Sequence, residues 1–346
     1  MADPRVVIVG ATGAVGKVLL QVLEERDFPM QSLRLCASPR SQGKKVLFRG
    51  KEIVIEEANA KLFSECDIAF VAAGGSTSRA LDPIAAANGC TVVDKSSAWR
   101  MDPTVPLVVP EINGADVEWH RGIVSVPNCS TTQMVMALWP LHRVNPIKRV
   151  VVDTYQAVSG TGAAAVDELE EQTRQIVEGR PLTREVYPHQ IAFNALPQVE
   201  TFTENGYTTE EMKIFRETRK IFHDESIKVS ATAVRVPVTV SHSEALHVEF
   251  ERPMPVDEAR RLLSAFPGVT VVDDPASSAY PLALDAAGKD DVFVGRIRQD
   301  ISAPNSLAMW VVSDNLRKGA ATNGVQIAEE LLKRKALLRH RATAAG

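Results

Sequence analysis

Cysteine is scarce in this chain, with four in 346 residues. No two of them form a CxxC pair, so neither a disulfide framework nor a structural metal site is indicated. No stretch approaches the roughly 18 apolar residues of a membrane span. The N-terminus, Met-Ala-Asp-Pro-Arg, runs directly into a strand-like segment and lacks the cleavage region of a secretory signal. Charge of one sign is also missing. The 39 Lys plus Arg against 43 Asp plus Glu leave a net charge of −4, a poor match for a phosphate-tracking nucleic-acid binder. No internal repeat or low-complexity segment interrupts the chain. What remains is ordinary globular composition, 45% hydrophobic and 24% charged, long enough for a large core and two domains. The expectation is a cytoplasmic protein of a reducing compartment that binds neither membrane nor nucleic acid.

The first third predicts strands at 5–9, 32–36, 53–55, 68–71, 91–93 and 122–126. Helical periodicity starts at about residue 18, recurs at 77–87 and returns at 131–141. Strand and helix in rotation imply a parallel sheet covered on both faces. The middle reads differently. Strands at 150–155, 229–240, 247–251 and 292–298 lack crossover-sized helices between most of them, while 163–178 and 209–222 are amphipathic helices. That pattern implies a mixed sheet in an α+β second domain. A strand at 309–312 and a final helix at about 324–335 close the chain. The expected boundaries are 1–127 and 128–313, with a helix at about 314–336 able to return to the first domain. The basic end, with Lys333, Arg334, Lys335, Arg339 and Arg341, suits a helix C-terminus.

Gly10, Gly13 and Gly16 follow a strand and open a helix, the context of a dinucleotide site. Such glycines allow a tight turn, and the helix N-terminus offers N–H donors to a pyrophosphate. The spacing is GxxGxxG rather than GxGxxG. An NAD site places an acid at the end of the second strand for the ribose 2′-hydroxyl. Here that position holds Ala37, Ser38, Pro39, Arg40 and Ser41, and two hydroxyls with a guanidinium suit a 2′-phosphate. The expected cofactor is therefore NADP(H). Cys36, Cys66 and Cys90 border apolar strands and read as buried small hydrophobes. Cys129 lies between a strand and a helix start, where a thiolate is stabilised; a candidate nucleophile and a packed capping-region thiol are equally compatible with that motif. Arg235 sits in an apolar strand, a costly position without a partner, so a ligand carboxylate or a buried ion pair is expected beside it.

Several segments together carry a family resemblance. They are residues 10–16 (Gly-Ala-Thr-Gly-Ala-Val-Gly), 96–100 (Ser-Ser-Ala-Trp-Arg), 127–131 (Pro-Asn-Cys-Ser-Thr), 156–160 (Gln-Ala-Val-Ser-Gly) and 241–244 (Ser-His-Ser-Glu). Residues 291–298 and 310–321 extend the set. In this order, from about residue 4 to residue 335, the chain resembles the aspartate-β-semialdehyde dehydrogenases. The resemblance implies a Rossmann-type NADP-binding domain plus a catalytic and dimerisation domain, in a homodimer or tetramer. It implies NADPH-dependent reduction of L-aspartyl-4-phosphate to aspartate semialdehyde and inorganic phosphate, on the route to lysine (through diaminopimelate), methionine, threonine and isoleucine.

By the same resemblance Cys129 is the nucleophile, His242 the general acid/base and Gln156 the residue that orients the intermediate. Arg100, Asn128, Glu210, Lys213 and Arg235 bind substrate. Thr12, Ala14 and Val15 join the three loop glycines, Ser38, Arg40 and Ser41 at the cofactor, together with Ser159, Gly160, Asn315 and Gln326. Without the resemblance, Glu210 and Lys213 read as a solvated i,i+3 helical pair. Two rival readings are N-acetyl-γ-glutamyl-phosphate reductase, whose uncharged acetylated amine needs no acid such as Glu210, and a catalytically silent NADP-binding sensor.

Overall fold

A computed structural model of the chain describes residues 3–338. Arg339 and Arg341 of the basic end lie outside the described residues. Two compact units divide the chain: one extends to Pro127 and resumes at Ala320, and the other comprises Asn128–Gly319.

The first unit begins with β1 (Arg5–Val9), α1 (Ala14–Glu25), β2 (Ser32–Cys36), β3 (Lys45–Phe48) and β4 (Lys51–Glu56). It continues through α2 (Ala60–Ser64), β5 (Ile68–Val71), α3 (Gly75–Ala87), β6 (Thr91–Asp94), α4 (Pro110–Asn113) and β7 (Ile123–Ser125). Among the described residues these strands form one seven-stranded sheet, ordered β3-β4-β2-β1-β5-β6-β7. Every pairing is parallel except β3 with β4. Strands β1, β5, β6 and β7 are buried on both faces, as their consecutive apolar residues require. Val6 and Ile8 of β1 point into a core with Leu19 and Leu23, whereas Val7 and Val9 point into another with Leu62, Phe63 and Cys90. Cys36, Cys66 and Cys90 are buried there, and burial pushes the Cys36 and Cys66 thiols up to about 12 and about 11.

The strand expected at 53–55 is part of β4, whereas β3 is absent from the sequence reading, because Lys45–Phe48 is short, largely exposed and not flanked by a helix. The last helix of the chain packs Val325, Ala328 and Leu331 into the core that α1 lines.

The second unit contains α5 (Cys129–His142), β8 (Ile147–Gln156), α6 (Ala163–Glu178), α7 (Thr209–Phe222), β9 (Lys228–Arg235) and β10 (His242–Phe250). It ends with α8 (Val256–Ser264), β11 (Val269–Val271), α9 (Ala283–Ala286), β12 (Val292–Gln299) and β13 (Ser306–Ser313). The six strands form a mixed sheet ordered β11-β12-β13-β10-β8-β9, with β8–β9 and β11–β12 parallel and the remaining pairs antiparallel.

Two boundaries differ from the sequence reading. Strand β9 stops at Arg235 rather than running to 240, because Pro237 has no N–H to continue a ladder. The segment after it instead lends the carbonyls of Val238 and Thr239 to the N–H groups of Val158 and Ser159. Strand β10 starts at His242 rather than 247, so His242 is its first residue. The expected helix from about 314 is also interrupted: a π-helical turn, Arg317–Ala321, precedes α10 (Thr322–Lys333).

Candidate active site

The glycine loop of the first unit owes two of its glycines to its own packing. Gly10 has φ +87°, and a Cβ there would lie 2.5 Å from the Ala72 carbonyl oxygen. A Cβ on Gly16 would lie 2.2 Å from the oxygen of Gly10. Gly13 is the N-cap of α1, and no side chain caps that helix or places an acid in its first turn. The N–H groups of Ala14, Val15 and Gly16 precede the first intrahelical bond, from Lys17 to Gly13. Uncapped donors with an uncompensated dipole fit an anionic ligand such as a pyrophosphate. The N–H groups of Gly10 and Ala11 both donate to the Cys36 carbonyl at the end of β2. That staple ties the loop to the strand that leads into the Pro39–Ser41 turn. Ser38 and Arg40 are exposed and Ser41 half-buried on that turn, with Thr12 half-buried in the loop. These residues fit a nicotinamide dinucleotide.

In the same unit Arg100 is buried, donating from Nε to the Val126 carbonyl at 2.9 Å and from Nη2 to that of Lys95 at 2.8 Å. Its loop is anchored by Asp94, which accepts from the hydroxyls of Ser78 and Ser96, each at 2.8 Å. Trp99 Nε1 donates to Asp82 at 2.8 Å. Burial and the facing Asp94 push the Asp82 carboxyl upward. Gln326, on α10, donates to Glu111 at 2.8 Å.

The second unit gathers Cys129 and its neighbours. Cys129 is the first residue of α5, and Asn128 is its N-cap. The Asn128 Oδ1 accepts from the N–H groups of Ser130 and Thr131, while its Nδ2 donates to Glu210 Oε1 at 2.8 Å. One amide hydrogen of Asn128 therefore remains for a ligand. The Asn128 N–H itself donates to Glu217 at 2.7 Å. Gln156 Nε2 donates to Ser130 Oγ at 2.8 Å and to Glu210 Oε1 at 3.0 Å.

Glu210 and Lys213 do form the i,i+3 pair, at 3.0 Å, but it is no solvated pair, since Glu210 is buried. Burial alone would raise the Glu210 carboxyl. The Lys213 ammonium and the donors on Gln156, Asn128 and Lys213 outweigh it and hold the group at about 2. Glu210 is thus an ionised carboxylate fixed in a donor cluster. Lys213 is bridged by a second acid, Glu200.

His242 and Arg235 meet over the turn at Val158–Gly160. The His242 Nδ1 accepts from the Ala157 N–H at 3.0 Å, so in the neutral ring the proton resides on Nε2. Arg235 Nη1 donates to the Ala157 carbonyl at 2.7 Å. Among the described residues no carboxylate pairs with Arg235, although it is buried, and its Nε is unpartnered. The expected buried ion pair is therefore not what holds it. A Cβ on Gly160 would lie 3.0 Å from Arg235 Nη1 and 3.2 Å from His242 Nε2. Asn315 bridges this region from the other side, accepting from the Ser241 N–H at 2.9 Å and donating to Ser159 Oγ at 3.0 Å.

Four participants escape the sequence reading. Glu217 and Ser130 give no local signal, since each acts on a residue far along the chain or on another element. Glu200 lies in an irregular stretch. Gly319 packs against Cys129, where an added Cβ would fall 2.8 Å from that of the cysteine; a glycine inside the 310–321 segment was the available hint.

Family models match both parts of the chain. The semialdehyde dehydrogenase NAD binding domain covers residues 5–120, and the semialdehyde dehydrogenase dimerisation domain covers residues 138–318. Aspartate-semialdehyde dehydrogenase of Aquifex aeolicus is 55% identical over 333 residues, 95% of this chain and 98% of that protein. The Bacillus subtilis enzyme is 50% identical over 337 residues, with 95% and 97% covered. The chain belongs to the aspartate-semialdehyde dehydrogenase family. Solved structures of family members match throughout. Aspartate semialdehyde dehydrogenase II of Vibrio cholerae, complexed with ASA, superposes at TM-score 0.94 with 45% identity, covering 96% of this chain and 99% of that one. The Candida albicans enzyme with NADP gives 0.76 at 27% identity, covering 97% and 100%. The fold is thus an NAD(P)-binding Rossmann-type unit and a dimerisation unit with a mixed sheet. Membership makes the chain an oxidoreductase of amino-acid biosynthesis. Among the described residues, no helix is long and apolar enough to cross a membrane, and no cluster of His, Cys, Asp and Glu could hold a metal.

Proposed function

We propose that this chain catalyses the NADPH-dependent reductive dephosphorylation of L-aspartyl-4-phosphate to L-aspartate-4-semialdehyde through a thioester on Cys129. The observation that carries the reading is the pair of opposite, buried charges in the second unit. Arg235 lacks a carboxylate partner and Glu210 is held ionised. A ligand with an α-carboxylate and an α-ammonium complements both, and an acetylated amine would offer Glu210 no charge.

In this reading Arg235 takes the α-carboxylate and Glu210 the α-ammonium. Arg100 and Lys213 are the cations for the phosphate. The Cys129 thiolate, favoured at the N-terminus of α5, adds to the β-carbonyl carbon. Collapse of the tetrahedral adduct breaks the bond to the phosphate oxygen and leaves the thioester. His242 donates from Nε2 to the developing oxygen charge, and Gln156 orients the acyl group. When bound, NADPH supplies the hydride that reduces the thioester carbon. Cleavage of the C–S bond then frees the aldehyde and regenerates the Cys129 thiolate. Ser38, Arg40 and Ser41 would hold a 2′-phosphate and so favour NADP over NAD. The match of residues 138–318 to a dimerisation domain supports a homodimer, possible as half of a tetramer, and a cytoplasmic place on the route to lysine, methionine, threonine and isoleucine accords with the family.

The test is phosphate-dependent reduction of NADP⁺ by aspartate semialdehyde, for the natural chain and for Cys129→Ala. Activity is expected only with the cysteine; full activity in the alanine variant would remove the covalent step. N-Acetylglutamate semialdehyde in the same assay separates the rival substrate, and a chain inert towards both is a sensor.

A further inference from the structure

Glu244 is the third residue of β10, fully buried, and neither carboxyl oxygen closes a well-formed hydrogen bond. Alternation along the strand puts it on the same face as His242. Its neighbours across the sheet are Thr154 of β8 and Val311 of β13. The side chain that approaches it is Gln133 of α5, itself buried, whose amide nitrogen and oxygen are otherwise without partners. Gln133 lies one helical turn beyond Cys129, on the same side of α5. The two polar groups thus sit one strand repeat from the general acid/base and one helix turn from the nucleophile.

This placement is expensive. A buried carboxyl and a buried amide each cost free energy unless well hydrogen-bonded, and an apolar pair of similar volume is often equally stable or better. Packing alone therefore gives no reason for them. Burial drives the Glu244 carboxyl well above its usual range, which favours the neutral acid, a form able to donate as well as accept.

We propose that Glu244 and Gln133 are a buried positioning pair, linking strand β10 to helix α5 and thereby setting the mutual approach of His242 and Cys129. The inference rests on the roles given above to those two residues. Neither member of the pair touches substrate; each acts through the backbone element that carries a reacting group.

The experiment compares Glu244→Gln, Glu244→Leu and the double variant Glu244→Leu/Gln133→Leu with the natural chain. It measures Tm, kcat, the KM values for aspartate semialdehyde and phosphate, and the alkylation rate of Cys129 by iodoacetamide. Cys129 is the accessible thiol, the other three cysteines being buried. The double apolar variant should keep or raise Tm while kcat falls about ten-fold or more with both KM values within about two-fold. Its Cys129 should alkylate about three-fold more slowly or worse. Glu244→Gln, neutral and of the same shape, should restore kcat to within about two-fold. The proposal is overturned if the double variant keeps the natural kcat and alkylation rate, or if Glu244→Gln loses as much as Glu244→Leu. Should the double variant fail to fold, Gln133→Met alone carries the same comparison. An inactive natural chain would refute the proposed function instead, and the alkylation rates would still decide for or against the pair.

Discussion

The side chain of Asn315 holds the backbone of Ser241, accepting its N–H at 2.9 Å. Ser241 has φ +76°, left-handed backbone that a non-glycine residue adopts at a cost of order 1–3 kcal/mol when nothing compensates. The residue that follows is His242. The hydrogen bond from a residue 74 positions away therefore maintains the strained turn from which the imidazole enters β10. Ser241→Gly should leave thermal stability within about 1 kcal/mol, and Ser241→Val should lower it by about 1–3 kcal/mol, read from Tm and denaturant midpoints. Asn315→Ala leaves buried groups on Ser159 and Ser241 unpaired and should cost about 1–3 kcal/mol, with a fall in kcat.

Gly160 can accept a Cβ by its backbone angle but not by its surroundings. The added methyl would press on Arg235 Nη1 and His242 Nε2, at 3.0 and 3.2 Å. Gly160→Ala should lower kcat/KM about ten-fold or more, since small misplacements of reacting groups are costly. Its Tm should stay close to that of the natural chain. A full-rate alanine variant would show that the turn is free to move.

Glu210 makes an acid-stability prediction. Its carboxyl is held at about 2 against an ordinary 4.5. A depressed folded-state value means that its stabilisation is complete above the ordinary value and is lost as pH falls from about 4.5 towards about 2. Glu210→Gln should flatten the unfolding curve across that window. The same variant should raise KM for aspartate semialdehyde at least about ten-fold, with a smaller effect on kcat. An unchanged KM would remove Glu210 from the ammonium site.

Asn128 serves two elements at once, and two variants separate them. Asn128→Ala removes the cap of α5 and should cost about 1 kcal/mol or more. Asn128→Asp retains an acceptor for the cap but puts a carboxylate where an amide donated to Glu210. It should therefore fold well yet bind aspartate semialdehyde poorly, as isothermal titration would measure.

The proposed role of Arg40 is tested by comparing the two nicotinamide cofactors. Arg40→Ala should raise KM for NADP⁺ about ten-fold while leaving that for NAD⁺ nearly unchanged. Equal effects on both would assign the residue to the surface.

Much of the architecture is legible along the chain because it rests on local patterns. A β-branched run, three spaced glycines and a helical period identify β1, its loop and α1. The helices at 163–178 and 209–222 coincide with α6 and α7, since each has one apolar face. Less legible are the short edge strand β3 and the start of β10. His242 and Ser243 carry no strand signal of their own; the ladders to β13 and β8 make them strand.

By itself the sequence determined the glycine loop, the burial of three cysteines and the helix start at Cys129. Tertiary structure decided the charge states and the partners. The Glu210–Lys213 spacing looks like a solvated pair, and only the donors on Asn128 and Gln156, 82 and 54 residues away, make it a buried ion site. Arg235 likewise acquires its meaning from what does not face it. Local propensity is written in neighbouring residues, whereas burial and pairing depend on which distant strands and helices come together, and that sets the electrostatics on which the chemistry rests.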